Sequence, residues 1–195
     1  MQKRAEETRQ KLMEAGERLF SSEGYHATNS KKIAKEAGVA VGSFYNHFRD
    51  KKELLLAIHR GHAQGIHELM MEKLQAIMEA ESGDEKNLSR QLVAQMLKMH
   101  AFSPELHREI SALAYTDPDF AAMNRREEKE AVALMLKLIE PRREALRVED
   151  LEAAAWVVAQ GVEAAVHGIK IFGAPLSQKR LVEALADMLH RFLFR

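Results

Sequence analysis

Apolar positions recur along this chain at helical spacing, and no stretch alternates apolar and polar as a half-buried strand would. Leu12, Ala15, Leu19 and Phe20 share one face of a first helix expected over about residues 3–22, with Gly24 placed to end it. A short polar helix, about 29–37, follows Thr28, whose hydroxyl suits an N-cap. The step Ala37-Gly38-Val39 breaks that helix, and another short one is expected over about 41–47 with Phe44 and Phe48 turned inward. Asp50 with Glu53 three residues later reads as a capping box opening a long helix over about 51–80, and Ser82-Gly83-Asp84 marks the loop beyond it. Five further helices are expected over about 86–101, 104–115, 118–140, 149–172 and 176–194. Ser103-Pro104 and Asp117-Pro118 are cap-plus-first-turn signatures, because the first turn needs no proline N–H. Pro141 is expected to stop the helix before it cleanly, and Gly173 with Pro175 separates the last two.

The predicted fold class is therefore all-α, with about nine helices. A three-helix head (residues 1–50) carries a helix-turn-helix, and the long fourth helix connects it to a helical body (51–195). Only four prolines and ten glycines in 195 residues agree with long uninterrupted helices. The absence of cysteine excludes disulfides and thiolate metal sites. The first residues are polar and mixed in charge, unlike a signal peptide, and no apolar run approaches the roughly 20 residues that cross a bilayer. The expected compartment is the cytoplasm, with no membrane partner. Net charge is zero, but residues 1–60 carry 12 Lys/Arg against 8 Asp/Glu and residues 61–195 carry 17 against 21. A basic head on an acidic body confines polyanion binding to one end.

The two short helices and their glycine-containing turn are where chemistry concentrates. A helix that enters the DNA major groove must present a slim outer face. Val41, Gly42, Ser43 and Asn46 supply one, while Ile33, Ala34, Val39, Phe44 and Phe48 can hold it against the head. Lys31, Lys32, Lys35, Arg49, Lys51 and Lys52 surround it with charge suited to phosphates.

The stretch Gly24-Tyr25-His26-Ala27-Thr28, then Ile33-Ala34-Lys35-Glu36-Ala37-Gly38-Val39, then Gly42-Ser43-Phe44-Tyr45-Asn46-His47-Phe48 with Lys51, resembles the head of TetR-family (tetracycline-repressor-like) regulators. The resemblance covers about residues 8–60, and the combined spacing is highly specific. It implies that Thr28, Ser30 and Lys31 touch the DNA backbone or groove edge, and that Val41 and Ser43 read sequence. It also implies that Tyr45, His47 and Lys51 meet phosphates. Gly42 would let the backbone approach closely, and the Asn46 amide can pair with adenine. Ala40 departs from the family's common Ser, so the recognition helix lacks a side-chain cap, a cost of roughly 1 kcal/mol. Lys52 departs from a frequently acidic position.

In the body, small residues of the eighth helix (Gly161, Ala164, Ala165, Gly168) beside Trp156, and the stripe Leu181, Leu185, Met188, Leu189 of the ninth, have the composition of a dimer interface. An intramolecular core is the alternative from composition, and the resemblance implies a four-helix bundle between subunits. The resemblance further implies an effector pocket among the middle helices. Met70, Met96, Met99, Met123, Phe102, Tyr115, Phe120 and Trp156 are its candidate lining, since flexible thioethers suit an adaptable apolar site, although core filling explains the same residues. His59 and His62 share a helix without a companion acid at supporting spacing, so no metal or other cofactor is expected. No nucleophile–base constellation, phosphate-cradling loop or paired carboxylates point to an enzyme. The expected function is a homodimeric repressor released from a palindromic double-stranded operator by a small hydrophobic or amphipathic effector. The alternative is a DNA-bound protein whose body engages a protein partner and no small molecule.

Overall fold

The computed structural model describes residues 2–79, 85–99 and 104–195, with side chains described outside residues 2, 66–84 and 99–103. The described residues form α1 (Gln2–Glu23), α2 (Ser30–Glu36), α3 (Val41–Tyr45), α4 (Lys51–Glu79), α5 (Glu85–Met99), α6 (Pro104–Ala114), α7 (Pro118–Ile139), α8 (Leu151–Lys170) and α9 (Gln178–Leu193). They contain no strand, only an isolated bridge between Leu146 and Phe194. The all-α class and the order of helices are those expected. No helix among the described residues is long and apolar enough to cross a membrane.

Two compact units emerge, Met1–His67 with Glu105–Ala112, and Glu68–Pro104 with Leu113–Arg195. In the first, Leu12, Ala15 and Phe20 of α1 pack with Ile33 and Ala34 of α2, Phe44 of α3, and Leu54, Leu55 and Ile58 of α4, all nearly or fully buried. The core of the head thus takes in the first two turns of α4. Gly16 permits this closeness, because a Cβ there would lie 2.6 Å from Leu54 Cδ2. Each such large side chain contributes roughly 1.5–3 kcal/mol by leaving water, so the two short helices, α2 and α3, are held by α1 and α4 rather than by their own propensity.

Local signals explain the helix ends, with three corrections. Gly24 ends α1 at φ +84°, as expected. The cap of α2 is Asn29, not Thr28: the Asn29 carboxamide oxygen accepts from Lys32 N–H at 3.0 Å. Thr28 is buried one residue before the cap position, and its hydroxyl donates to the Gly24 carbonyl at 2.9 Å. Helix α3 is shorter than expected, its C-cap falling at Asn46. Pro141 does not end helical structure; α7 stops at Ile139, and a 3-10 turn runs on through Ala145, with Arg142 off helical geometry at φ −106°, ψ 18°. A proline early in such a turn fits where its missing N–H is not needed. The Ser103 cap lies outside the described residues, whereas Asp117 caps α7 by accepting from Asp119 N–H at 2.9 Å.

The second unit is built on α5, α7, α8 and α9. Leu92, Val93 and Leu97 of α5, Leu138 and Ile139 of α7, Val158, Val162 and Val166 of α8, and Leu185, Leu189 and Leu193 of α9 share one apolar cluster. Two backbone bonds, Arg147 N–H to Leu193 C=O (2.8 Å) and Arg195 N–H to Ala145 C=O (3.0 Å), tie the end of α9 to the turn after α7.

Candidate nucleic-acid interface

The site begins at the turn between α2 and α3. Gly38 takes φ +67°, a left-handed conformation costly for a residue with a Cβ, and this reverses the chain within three residues. Val39 N–H closes back to Ala34 C=O at 3.0 Å. Helix α3 then starts from Ala40, which makes no side-chain cap bond, as its methyl dictates. Phe44 is wholly buried, and its ring meets that of Phe48, also buried, tilted at 48° with centroids 5.9 Å apart. With those rings inward, helical geometry turns Val41, Gly42, Tyr45 and Asn46 to solvent. A Cβ at Gly42 would meet no heavy atom within 4 Å, so nothing inside the fold requires glycine there. Ser43 and His47 are half-buried at the edges of that face.

Tyr45 is more than half exposed, and its hydroxyl lies 2.8 Å from Ser30 Oγ. This bond joins the first residue of α2 to the last of α3 and holds two expected DNA-contact residues together. Lys31 and Lys35 project from α2 into solvent, and neither forms an ion pair among the described residues. Lys32 is differently placed: it pairs with Glu23 and donates to Ala27 C=O at 3.2 Å, so it is committed inside the head.

Two of the residues implied by resemblance have their polar groups turned into the head. Thr28 is 1% exposed, and its hydroxyl faces the carbonyls of Leu19 and Gly24 at the end of α1. The Lys51 ammonium is directed into the loop between α1 and α2. It donates to the carbonyls of Tyr25 (2.7 Å), Thr28 (2.9 Å) and His26 (3.4 Å), and stands 4.3 Å from the Tyr25 ring centroid. An ammonium has three protons, and all three have acceptors here, so none is directed at a phosphate. Burial lowers the Lys51 pKa from the ordinary lysine value, while the converging carbonyls favour the charged form.

Helix α4 opens as the capping box predicted, with one change. Glu53 N–H donates to Asp50 Oδ1 at 2.8 Å, but the Glu53 carboxylate returns to Arg49 N–H (2.7 Å) and Arg49 Nε (3.1 Å) rather than to the cap residue. The Arg49 backbone and side-chain donors hold this carboxyl below its ordinary pKa. Sequence reasoning missed Glu109 of α6. Its carboxylate accepts from Tyr25 N–H at 3.2 Å, on the same loop that Lys51 holds from the other side. Eighty-four positions separate the pair, and no local pattern could have revealed it.

The remaining expected sites divide. Among the pocket residues, Phe120 is fully buried, and Met96 and Met123 are half-buried. Tyr115 is 92% exposed, in the turn after α6. Trp156 is half exposed on α8. Phe102 and the side chains of Met70 and Met99 lie outside the described residues. Of the expected interface, Leu185 and Leu189 sit in the core of their own chain. Met188 (51% exposed), Ala164 and Trp156 face outward, Gly161, Ala165, Gly168 and Leu181 are half-buried, and Val157 and Phe192 extend the exposed apolar stripe.

Comparison with known proteins matches these features in both parts of the chain. The model for bacterial regulatory proteins of the tetR family matches residues 12–58, and that for the tetracyclin repressor-like C-terminal domain matches residues 86–193. The HTH-type transcriptional regulator AcrR of Shigella flexneri is 43% identical over 68 residues, 35% of this chain and 32% of that protein. The chain therefore spans about a third of the length of the curated relatives it matches, across the helix-turn-helix region. A crystal structure of a TetR-family regulator from Mesorhizobium loti superposes with a TM-score of 0.74 at 20% identity, covering 98% of this chain and 99% of that one. The SmeT–triclosan complex superposes with a TM-score of 0.70 at 22% identity, over 96% and 92% of the two chains. Both likenesses concern the fold. With the second of the two family models spanning more than half of its residues, this chain belongs to the TetR family of helix-turn-helix, DNA-binding transcriptional regulators.

Proposed function

We propose that the chain represses transcription as a homodimer bound to a palindromic operator, and leaves it when a small hydrophobic or amphipathic effector binds the body. One observation carries the reading: α3 offers a narrow exposed face, Val41, Gly42, Tyr45 and Asn46, fixed from behind by the fully buried Phe44. A face of that width fits a major groove. Ser43 and Val41 read bases, Asn46 pairs with adenine, and Lys31, the Ser30–Tyr45 pair and His47 meet phosphates.

A single five-residue helix reads few bases, so specificity requires two heads on half-sites about 34–36 Å apart or a multiple of that. The outward stripe of α8 and α9, including Trp156, Val157, Met188 and Phe192, is the proposed subunit contact. Residues 1–50 then carry DNA recognition and 51–195 the effector and dimer surfaces. The ligand in the SmeT–triclosan complex supports an effector role for the body. The Glu109–Tyr25 bond supports coupling, since any shift of α6 against the head is felt at the loop that Lys51 holds. A coupling of about 1–3 kcal/mol changes DNA affinity roughly 5–150-fold.

The test is competitive binding of the purified full chain to its own upstream DNA and to random duplex at physiological salt. A strong preference for a two-fold symmetric site is expected, and Ser43→Ala should alter which bases are preferred. Equal affinity for random duplex overturns the reading. Operator binding that no ligand in a chemically diverse library relieves would instead assign the body to a protein partner.

A further inference from the structure

We propose that a crevice between α5, α8 and α9 binds a small amphipathic monoanion, a carboxylate or sulfonate on a short apolar tail. The crevice is a groove open to solvent, with a volume of about 300 Å³, the small end of ligand pockets. Leu97 and Val182 supply apolar lining, and Lys98, Lys170 and Lys179 contribute three ammonium groups. None of the three forms an ion pair among the described residues.

The single carboxylate in the lining, Glu183, has Arg90 as its main partner, and Lys179 adds only a weaker coulombic attraction. Arg90 grips it with two bonds of 2.9 Å, from Nε and Nη2, and holds its carboxyl below the ordinary range. The bland role for two of the lysines is to offset the carboxyl ends of α5 and α8, where Lys98 and Lys170 lie. Each helix end carries only about half a negative charge. Three full positive charges exceed that requirement, and Lys179 stands in the first turn of α9, where a cation is unfavourable. A surplus of charge beside apolar surface is the chemistry that selects an anion with a greasy tail over either half alone. The residues involved are separate from the methionine-rich set named above, and binding here does not require that the operator respond.

The experiment is calorimetric titration of the full chain with octanoate, with octan-1-ol and acetate as probes lacking the charge or the tail. One site per chain is expected for octanoate, with octan-1-ol at least about tenfold weaker, acetate silent, and affinity falling as salt rises. The double variant Lys98→Gln/Lys179→Gln should weaken octanoate about tenfold or more. Equal binding of octan-1-ol, or octanoate binding unchanged in the variant, overturns the proposal. A variant that loses only thermal stability does the same, by assigning the lysines to the helix ends. Should the double variant not fold, Lys179→Gln alone carries the test, with at least about a threefold loss expected. Operator affinity measured in the same samples keeps a failure here distinct from a failure of the repressor reading.

Discussion

Replacing Lys51 with Met separates two roles that a lysine in this position can have. Its ammonium makes two short hydrogen bonds, 2.7 Å to Tyr25 C=O and 2.9 Å to Thr28 C=O, and a longer one to His26 C=O. A hydrogen bond to a charged group contributes about 1.5–3 kcal/mol, and the ring of Tyr25 adds about 0.5–1 kcal/mol. The group is only partly buried, and its own desolvation opposes the gain, so a net loss of about 2–3 kcal/mol is expected for Lys51→Met. At roughly 2–4 °C per kcal/mol for a chain of this length, the melting temperature should fall by about 5–10 °C, read by scanning calorimetry. Lys51→Arg should recover only part, because a planar fork does not match three converging carbonyls. A phosphate contact has a different signature. The salt dependence of DNA binding would flatten by about one unit in log–log slope, while stability stayed unchanged. That second pattern would refute the structural argument.

Gly42→Ala should raise stability by about 0.5–1 kcal/mol, since its Cβ enters open space on a helix, yet weaken operator binding; equal or tighter binding would remove Gly42 from the DNA face. Glu53→Gln tests the cap of α4. The depressed Glu53 pKa means that its stabilisation is present above the unfolded value near 4.5 and is lost as pH falls through the folded value. Urea midpoints of parent and variant should therefore differ at pH 7 and converge as pH falls through the folded value, and a difference independent of pH would contradict the assignment. Met188→Glu, at an exposed position on α9, should shift sedimentation toward monomer with little loss of helicity and should reduce operator affinity; an unchanged dimer would place the contact elsewhere.

Periodicity and breaking glycines were enough to determine the helices of the described residues, the glycine-bearing turn and the slim face of α3. These are local matters: 3.6-residue spacing, a positive φ at Gly38, a missing cap at Ala40. Only tertiary structure decided partners and facing. It turned Thr28 inward and left the cap to Asn29, spent the Lys51 charge on loop carbonyls, and brought Glu109 to Tyr25 N–H. It divided the apolar residues of α9 into Leu185 and Leu189 in the core and Met188 and Phe192 outside. The physical reason is one of range. A repeat along the chain states which residues share a stripe, but whether that stripe meets its own bundle or the solvent depends on helices tens of residues away, and so does the destination of each polar side chain.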